Sequence, residues 1–393
     1  MAESDDVAVE SGPDGLWGDP ENVGFIIEQV EARALSVPLS VPTDFSTRTV
    51  DQREYVVTSL RSRNGCYGEG YTYAGTSGGV WVRDAINNLI APVLRGRNAL
   101  ARESNWDAVF RELLLVGRGG GLLRALSAVD IAAWDLVGRS SGLPLRVLLG
   151  GEARRVEAYA SGGYYRPGDP IENVVTEIDR YKTHGFKDFK IKVGGVPLAE
   201  DVKRVAAARE SIGPDGRIAL DANNAWRYVA DALRAADAFA EFDIWWLEEP
   251  LMPDDIAGHA ALVRQARVPI ATGEIEGTRW GFGRLIRADA AHILQPDACV
   301  CGGVTEWRRI ALAASAFDLP VASHWHANLH AQLAPTVTNA LPVEYFGLDE
   351  DIYNFERLLT NPLRIEGGAI MLGSSPGIGV EFDPDALAEF TVG

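Results

Sequence analysis

Cysteine is scarce in this chain, with only Cys66, Cys299 and Cys301 among 393 residues. So small and odd a number excludes a disulfide framework and fits a reducing compartment. Cys299 and Cys301 lack the second thiol pair that a zinc site needs, so all three cysteines read as small buried fillers. No run of about 18 apolar residues occurs, which argues against a membrane-spanning helix. The start, MAESDDVAVESGPDG, has neither the basic nor the apolar stretch of a secretion signal, so a cytoplasmic protein is expected. A formal net charge of -18 leaves no concentrated basic face, and nucleic acid is excluded as a partner. Lysine is rarer still than the charge balance suggests: Lys182, Lys187, Lys190, Lys192 and Lys203 are the only five among 37 basic residues. Where a bare positive charge suffices the chain uses arginine, which stays protonated. A lysine inside a strand therefore suggests that losing the proton matters, although four of the five cluster together and local bias remains an alternative.

The chain has 47% hydrophobic residues, and its length calls for two domains or one large barrel with additions. Residues 1–20 are acidic and rich in Gly and Pro, which predicts a disordered leader. From Gly24, GFIIEQVEARALSVPL and REYVVTSLRSRNGCYGEGYTY alternate as antiparallel strands, joined by a loop from about Ser40 to Asp51. Helical periods follow in WVRDAINNLIAPVLRG, NWDAVFRELLL and LLRALSAVDIAAWDLVGRSSG, the last stopped by Gly142 and Pro144. Residues 21–150 thus predict an α+β unit. Residues 151–370 change texture to eight short β runs (VEAYAS, FKDFKIKV, RIALD, IWWLE, PIATGE, HILQPD, LPVASH and LPVEYF) alternating with helical segments. That pattern predicts an α/β protein with a modified (β/α)7-8 barrel of the TIM type, whose strands all end at one face. Residues 371–393 are expected to pack back on the first unit.

Lys192, Asp221, Glu248, Glu274, Asp297, His324 and Glu344 each fall where a predicted strand stops, at intervals of 29, 27, 26, 23, 27 and 20 residues. One strand of about 5 residues, one helix of about 11 and two short loops consume that length. Such a rhythm predicts convergence on one site. Asp221, Glu248 and Glu274 end three successive strands and supply the hard oxygens that Mg²⁺ prefers. Glu249 is a rival to Glu248, but neighbours in a strand point to opposite faces, so only one should reach the centre. Lys190 and Lys192 share a face, and their mutual repulsion is expected to lower a lysine pKa toward that of a base. Asp297 and His324 end adjacent strands, where the carboxylate would fix the imidazole tautomer and raise its basicity. His330 reads as structural and His326 as an open competitor for a substrate contact. Glu344 could stabilise an oxyanion on a substrate carboxylate, or simply pair with an arginine.

These residues together make the chain resemble the enolase superfamily, and within it the mandelate racemase subgroup. The Lys-x-Lys pattern is matched by Lys190 and Lys192, the metal carboxylates by Asp221, Glu248 and Glu274, the Asp/His dyad by Asp297 and His324, and the terminal electrophile by Glu344. The first unit resembles the capping domain, with specificity loops at about Pro38 to Thr49 and Tyr71 to Ser77. The resemblance implies one Mg²⁺ per subunit, a homo-oligomer, and loss of the proton alpha to a carboxylate to give an enediolate, with Lys192 and His324 on opposite faces. Dehydration of a sugar acid to a 2-keto-3-deoxy acid is the favoured outcome, because Asn223, Trp226, Tyr164, Tyr165 and Trp325 follow barrel strands and suit a small anionic polyol. A racemase, epimerase or cycloisomerase is the alternative; a Schiff-base aldolase and a non-catalytic binding protein on the same fold are further rivals.

Overall fold

A computed structural model describes residues 24–393, so the expected leader over residues 1–20 lies outside the described residues. Strands β1 (Ile27–Phe45), β2 (Arg48–Ser62) and β3 (Tyr67–Tyr73) form an antiparallel meander. The alternation expected of them is met in β1, where Val30, Ala32 and Ala34 are buried on one face and Leu35, Val37 and Leu39 on the other. The segment from Ser40 to Asp51 is a correction, because it is not a loop but the far end of a hairpin with its turn at Ser46 and Thr47. Thr43 pairs with Val50, Asp44 with Thr49 and Phe45 with Arg48, after a register shift between Pro38 and Thr43. Pro38 and Pro42 cannot donate to the ladder, so the strand is displaced rather than ended there.

Helix α1 (Gly79–Ala85) runs through a π turn at Ile86–Ile90 into α2 (Ala91–Leu94), followed by α3 (Arg102–Leu113) and α4 (Gly121–Ser141). Gly142 ends α4 in the left-handed region at φ 69°, a conformation that glycine adopts without strain. The long helix lies directly on β3. A Cβ on Gly70 would sit 2.1 Å from Ala128 O, and one on Gly68 would sit 2.2 Å from Leu136 N. Short α5 (Leu145–Leu148) then leads into the barrel.

The barrel strands are β4 (Arg155–Gly162), β5 (Phe189–Lys192), β6 (Ile218–Asp221), β7 (Leu247–Glu248), β8 (Ile270–Thr272), β9 (Ile293–Leu294) and β10 (Val343–Tyr345). Helices α6 (Pro170–Thr183), α7 (Leu198–Ile212), α8 (Val229–Phe239), α9 (Ile256–Gln265), α10 (Thr278–Arg287), α11 (Gly303–Ser315) and α12 (Ala327–Leu333) alternate with them. Neighbours pair in parallel from β4 to β9, and β10 returns to pair with β4. The seventh position shrinks to Val321 alone, which bridges Leu294 and Ala340 in parallel. Seven strands and one bridging residue therefore occupy the eight expected positions.

Inside the barrel, Tyr159, Ala219, Trp246, Ala271, Ile293 and Ala322 pack together. Several stand two residues before a polar group of the site, so the period of two makes them the floor beneath it. Hairpin β11 (Arg364–Glu366) and β12 (Ala369–Met371) joins β4, and after α13 (Pro384–Phe390) the strand β13 (Thr391–Val392) joins β1.

Cap and barrel are joined by buried polar contacts. Asp130 of α4 accepts from Thr305 N at 2.9 Å and Thr305 Oγ1 at 2.7 Å, and Thr72 Oγ1 donates to Cys299 O at 2.6 Å. Cys299 and Cys301 are buried as expected, but Cys66 is only half-buried, near the tight turn between β2 and β3. Among the described residues no helix is long and apolar enough to cross a membrane.

Candidate active site

Parallel register places three of the expected groups side by side. Lys192 pairs with Asp221, and Asp221 with Glu248, at the last residues of β5, β6 and β7. Glu274 lies two residues past β8, Asp297 three past β9 and His324 three past Val321, while Glu344 stands inside β10. The even rhythm thus reflects barrel geometry, although only three of the seven residues end a strand in the strict sense.

Ligand atoms of Asp221, Glu248 and Glu274 lie within 4.8 Å of one another. Trp246 Nε1 orients Glu248 by donating to Oε2 at 2.9 Å, and Asn223 N donates to Asp221 Oδ1 at 2.9 Å. Glu274 Oε2 makes no hydrogen bond. Three converging carboxylates, one with an orphaned buried oxygen, are a donor set that fits a hard divalent ion.

Glu249 needs a correction, because its side chain does not turn away from the centre. Its φ of 42° takes the chain out of the strand geometry, so the alternation that would send it outward no longer applies. The carboxylate lines the same cavity, is buried, and has both oxygens without a hydrogen-bond partner. Burial, followed by repulsion from Glu274, Asp221 and Glu248, holds its pKa well above the usual carboxylate range.

Lys190 Nζ bridges Glu248 Oε1 at 2.6 Å and Glu344 Oε1 at 2.7 Å, while Lys192 Nζ lies 2.5 Å from Asp221 Oδ2. The expected lowering of the lysine pKa is not found in this arrangement. Burial pushes Lys192 down, but Asp221, Tyr164 and Glu274 together raise the group above its ordinary value; the opposing effect of Lys190 ranks below those of burial, Asp221 and Tyr164. The carboxylates that neutralise Lys190 leave it little repulsion to exert. Glu344 is held below the ordinary glutamate value: burial raises it, and Lys190, His324 and Lys192 pull it down further. The partner foreseen for Glu344 as an arginine is thus a lysine.

His324 Nδ1 lies 3.0 Å from Asp297 Oδ2 and its Nε2 lies 3.5 Å from Glu274 Oε2. Burial lowers the imidazole pKa, yet Glu274 and Asp297 raise it to about 9. His330 Nε2 accepts from Ala298 N at 3.0 Å, behind Asp297. His326 is fully buried, with Nδ1 3.2 Å from Tyr353 Oη, and does not line the cavity. Trp226 packs half-buried against the barrel helices, and Tyr165 bonds Asp201 through its hydroxyl; neither reaches the cavity.

The cavity holds about 470 Å³ and is lined by Lys192, Glu274, His324, Glu344, Asn223, Tyr164 and Trp325 on the barrel side. From the cap come Phe45, Thr47, Arg48, Arg53, Tyr73, Trp81 and Arg124. Both expected cap loops therefore contribute. The arginines were not anticipated, although Arg53 shares its face of β2 with the core residues Tyr55 and Val57, and a charge on that face was a legible signal.

A parallel barrel with three acids after its third, fourth and fifth strands, covered by an α+β cap, is an enolase-type architecture. The chain belongs to the mandelate racemase / muconate lactonizing enzyme family: residues 28–150 match its N-terminal domain and residues 173–386 match the enolase C-terminal domain-like family. It is 34% identical to a 3,6-anhydro-alpha-L-galactonate cycloisomerase from Streptomyces coelicolor, over 94% of this chain and 100% of the relative. It is 30% identical to an L-talarate/galactarate dehydratase from Salmonella typhimurium, over 92% and 90%. Among solved structures, a racemase from Streptomyces coelicolor with bound magnesium superposes at TM-score 0.87 with 33% identity, covering 93% of this chain and 100% of that one.

Proposed function

We propose that the protein removes the proton alpha to the carboxylate of a sugar acid and expels the β-hydroxyl, giving a 2-keto-3-deoxy acid. The observation that carries this reading is the placement of two proton-transfer groups on either side of the acidic triad. Lys192 contacts Asp221 at one end and His324 approaches Glu274 at the other, and both line the cavity.

Asp221, Glu248 and Glu274 would hold one magnesium ion, which would withdraw charge from the substrate carboxylate and acidify the proton beside it. Lys192, once neutral, takes the proton from C2. Glu344, with Lys190 beside it, faces the charge that develops on the carboxyl oxygens as the enediolate forms. His324, fixed through Nδ1 by Asp297, presents Nε2 and its proton to the departing C3 hydroxyl, which leaves as water. The resulting enol then tautomerises to the keto acid. Asn223 and Tyr164, which line the cavity, would contact the hydroxyls, and Trp325 would form a wall.

A cycloisomerase is the second reading, favoured by the Streptomyces relative; it uses the same proton abstraction but loses no water. Proton NMR in D₂O with magnesium and a panel of aldonic, aldaric and lactone substrates separates the two. Dehydration yields a product that reacts with semicarbazide, cycloisomerisation yields an isomer without water loss, and EDTA stops both. Turnover that survives EDTA would refute the magnesium assignment.

A further inference from the structure

The cavity has a second charged end. Arg53 from β2, Arg124 from α4 and Arg48 from the hairpin tip line it on the cap side. Arg53 is only 4% exposed. In a chain of net charge -18, none of the three arginines forms an ion pair with a carboxylate among the described residues. Their partners are neutral: Arg53 donates from Nε to Ile352 O at 2.6 Å and from Nη1 to Tyr73 Oη at 3.4 Å, and Arg124 donates from Nη1 to Tyr73 O at 2.7 Å. Those bonds occupy two of the five donors of Arg53 and one of Arg124. The guanidinium carbons stand 5.8 and 5.6 Å from the centre of the Tyr73 ring, Arg53 reaching its hydroxyl and Arg124 its main-chain carbonyl, so both flank the same tyrosine on the cavity wall. Arg53 also lies over the Trp325 ring at 4.5 Å, and Trp325 stacks on His324 at 5.7 Å, so the basic end is one ring away from the proton-transfer group.

A buried guanidinium without a counter-ion is costly, and several of them converging on one cavity form a fork suited to a planar bidentate anion. We infer that Arg53 and Arg124, with Arg48 at the rim, bind a second carboxylate of the substrate, and that the preferred substrates are sugar diacids rather than monoacids. This rests on the sugar-acid reading and sharpens it. The reacting carboxylate belongs at Asp221, Glu248 and Glu274, and the distal one at the cap. A site built to bond a terminal anion discriminates against the analogue lacking it, because its own cations are then left unmatched.

The test compares hexaric acids with hexonic acids of matching configuration, with magnesium present. In the parent enzyme kcat/KM is expected to favour the diacid at least ten-fold, and Arg53→Met or Arg124→Gln should each cut that ratio at least ten-fold. Arg124 is only half-buried, so its variant keeps the test alive if Arg53→Met does not fold. Calorimetric titration of a Lys192→Ala, His324→Asn double variant reads binding apart from chemistry. There the diacid should bind at least ten-fold tighter, and Arg124→Gln added to that background should erase the difference. Equal affinities for diacid and monoacid would overturn the inference, as would tighter binding of a 6-phosphorylated hexonate or a preference that survives both arginine substitutions. If the diacid preference holds but the parent enzyme neither exchanges the α-proton nor dehydrates, the subsite stands and the proton-abstraction reading falls.

Discussion

Lys192 Nζ rests 2.5 Å from Asp221 Oδ2, so the proposed base touches one of the proposed metal ligands. Proton removal and cation binding are thereby linked through a single carboxylate. Lys192→Ala and His324→Asn are each expected to lower kcat for dehydration by about 10²- to 10⁴-fold, the range that positioned acid–base groups supply. Circular dichroism should show both variants folded. A near-normal kcat in either variant would refute the two-sided arrangement.

Glu248 and Glu249 are neighbours, and Glu249 lines the cavity, yet only Glu248 clusters with Asp221 and Glu274. Magnesium titration should show Glu248→Gln weakening binding at least ten-fold, a loss of about 1.4 kcal/mol or more. Glu249→Gln should change the dissociation constant far less. The reverse ranking would move the ligand assignment to Glu249.

Asp130 supplies a pH signature remote from the triad. Burial raises its pKa from 3.8 to about 7, and the hydrogen bonds from Thr305 only partly offset that rise. The folded state therefore keeps the proton after the unfolded chain has released it, so the stabilising contribution is full below pH 3.8 and is lost as pH rises through 7. Urea unfolding at pH 5 and pH 7.5 should find Asp130→Asn gaining on the parent by roughly 3 kcal/mol across that interval. A difference that does not change with pH would show that Asp130 is ionised throughout.

Gly70 meets α4 with no room for a side chain, since an added Cβ would lie 2.1 Å from one main-chain oxygen and 2.4 Å from a main-chain nitrogen. Gly70→Ala is expected to destabilise the cap by roughly 1–3 kcal/mol through overpacking. Gly75→Ala, where nothing lies within 4 Å, should cost less and only through its positive φ of 78°. Thermal unfolding of the pair distinguishes steric clash from backbone preference, and equal losses would argue against the close contact.

Much of the barrel was legible because periodicity and spacing are local properties of a sequence. Strand runs ending in Lys192, Asp221 and Glu248 could be read directly, and parallel pairing then carries them to one face. What stayed hidden depends on backbone torsion or on distant packing. Glu249 reaches the cavity through a left-handed φ that no alternation rule reports. Arg53 and Arg124 come from a strand and a helix about 70 residues apart in the chain and are linked only through Tyr73, one at its hydroxyl and the other at its main-chain carbonyl. The hairpin tip was read as a loop because two prolines obscured the resumption of pairing at Thr43. Trp226 follows a barrel strand just as Asn223 does, yet the turn after Asp221 sends Asn223 and Asn224 into the cavity and leaves Trp226 outside it.

Residues 391 and 392 pair with Leu35 and Ala34, so the cap sheet holds segments from both sides of the barrel in chain order. A lid moored at two separate places cannot swing on a single hinge. The hairpin tip reaches the barrel as well, where the Ser46 hydroxyl donates to Ala222 O at 2.5 Å just beyond Asp221. Asp44 and Tyr165 trade two main-chain hydrogen bonds beside it, so the hairpin is a third mooring rather than a free flap.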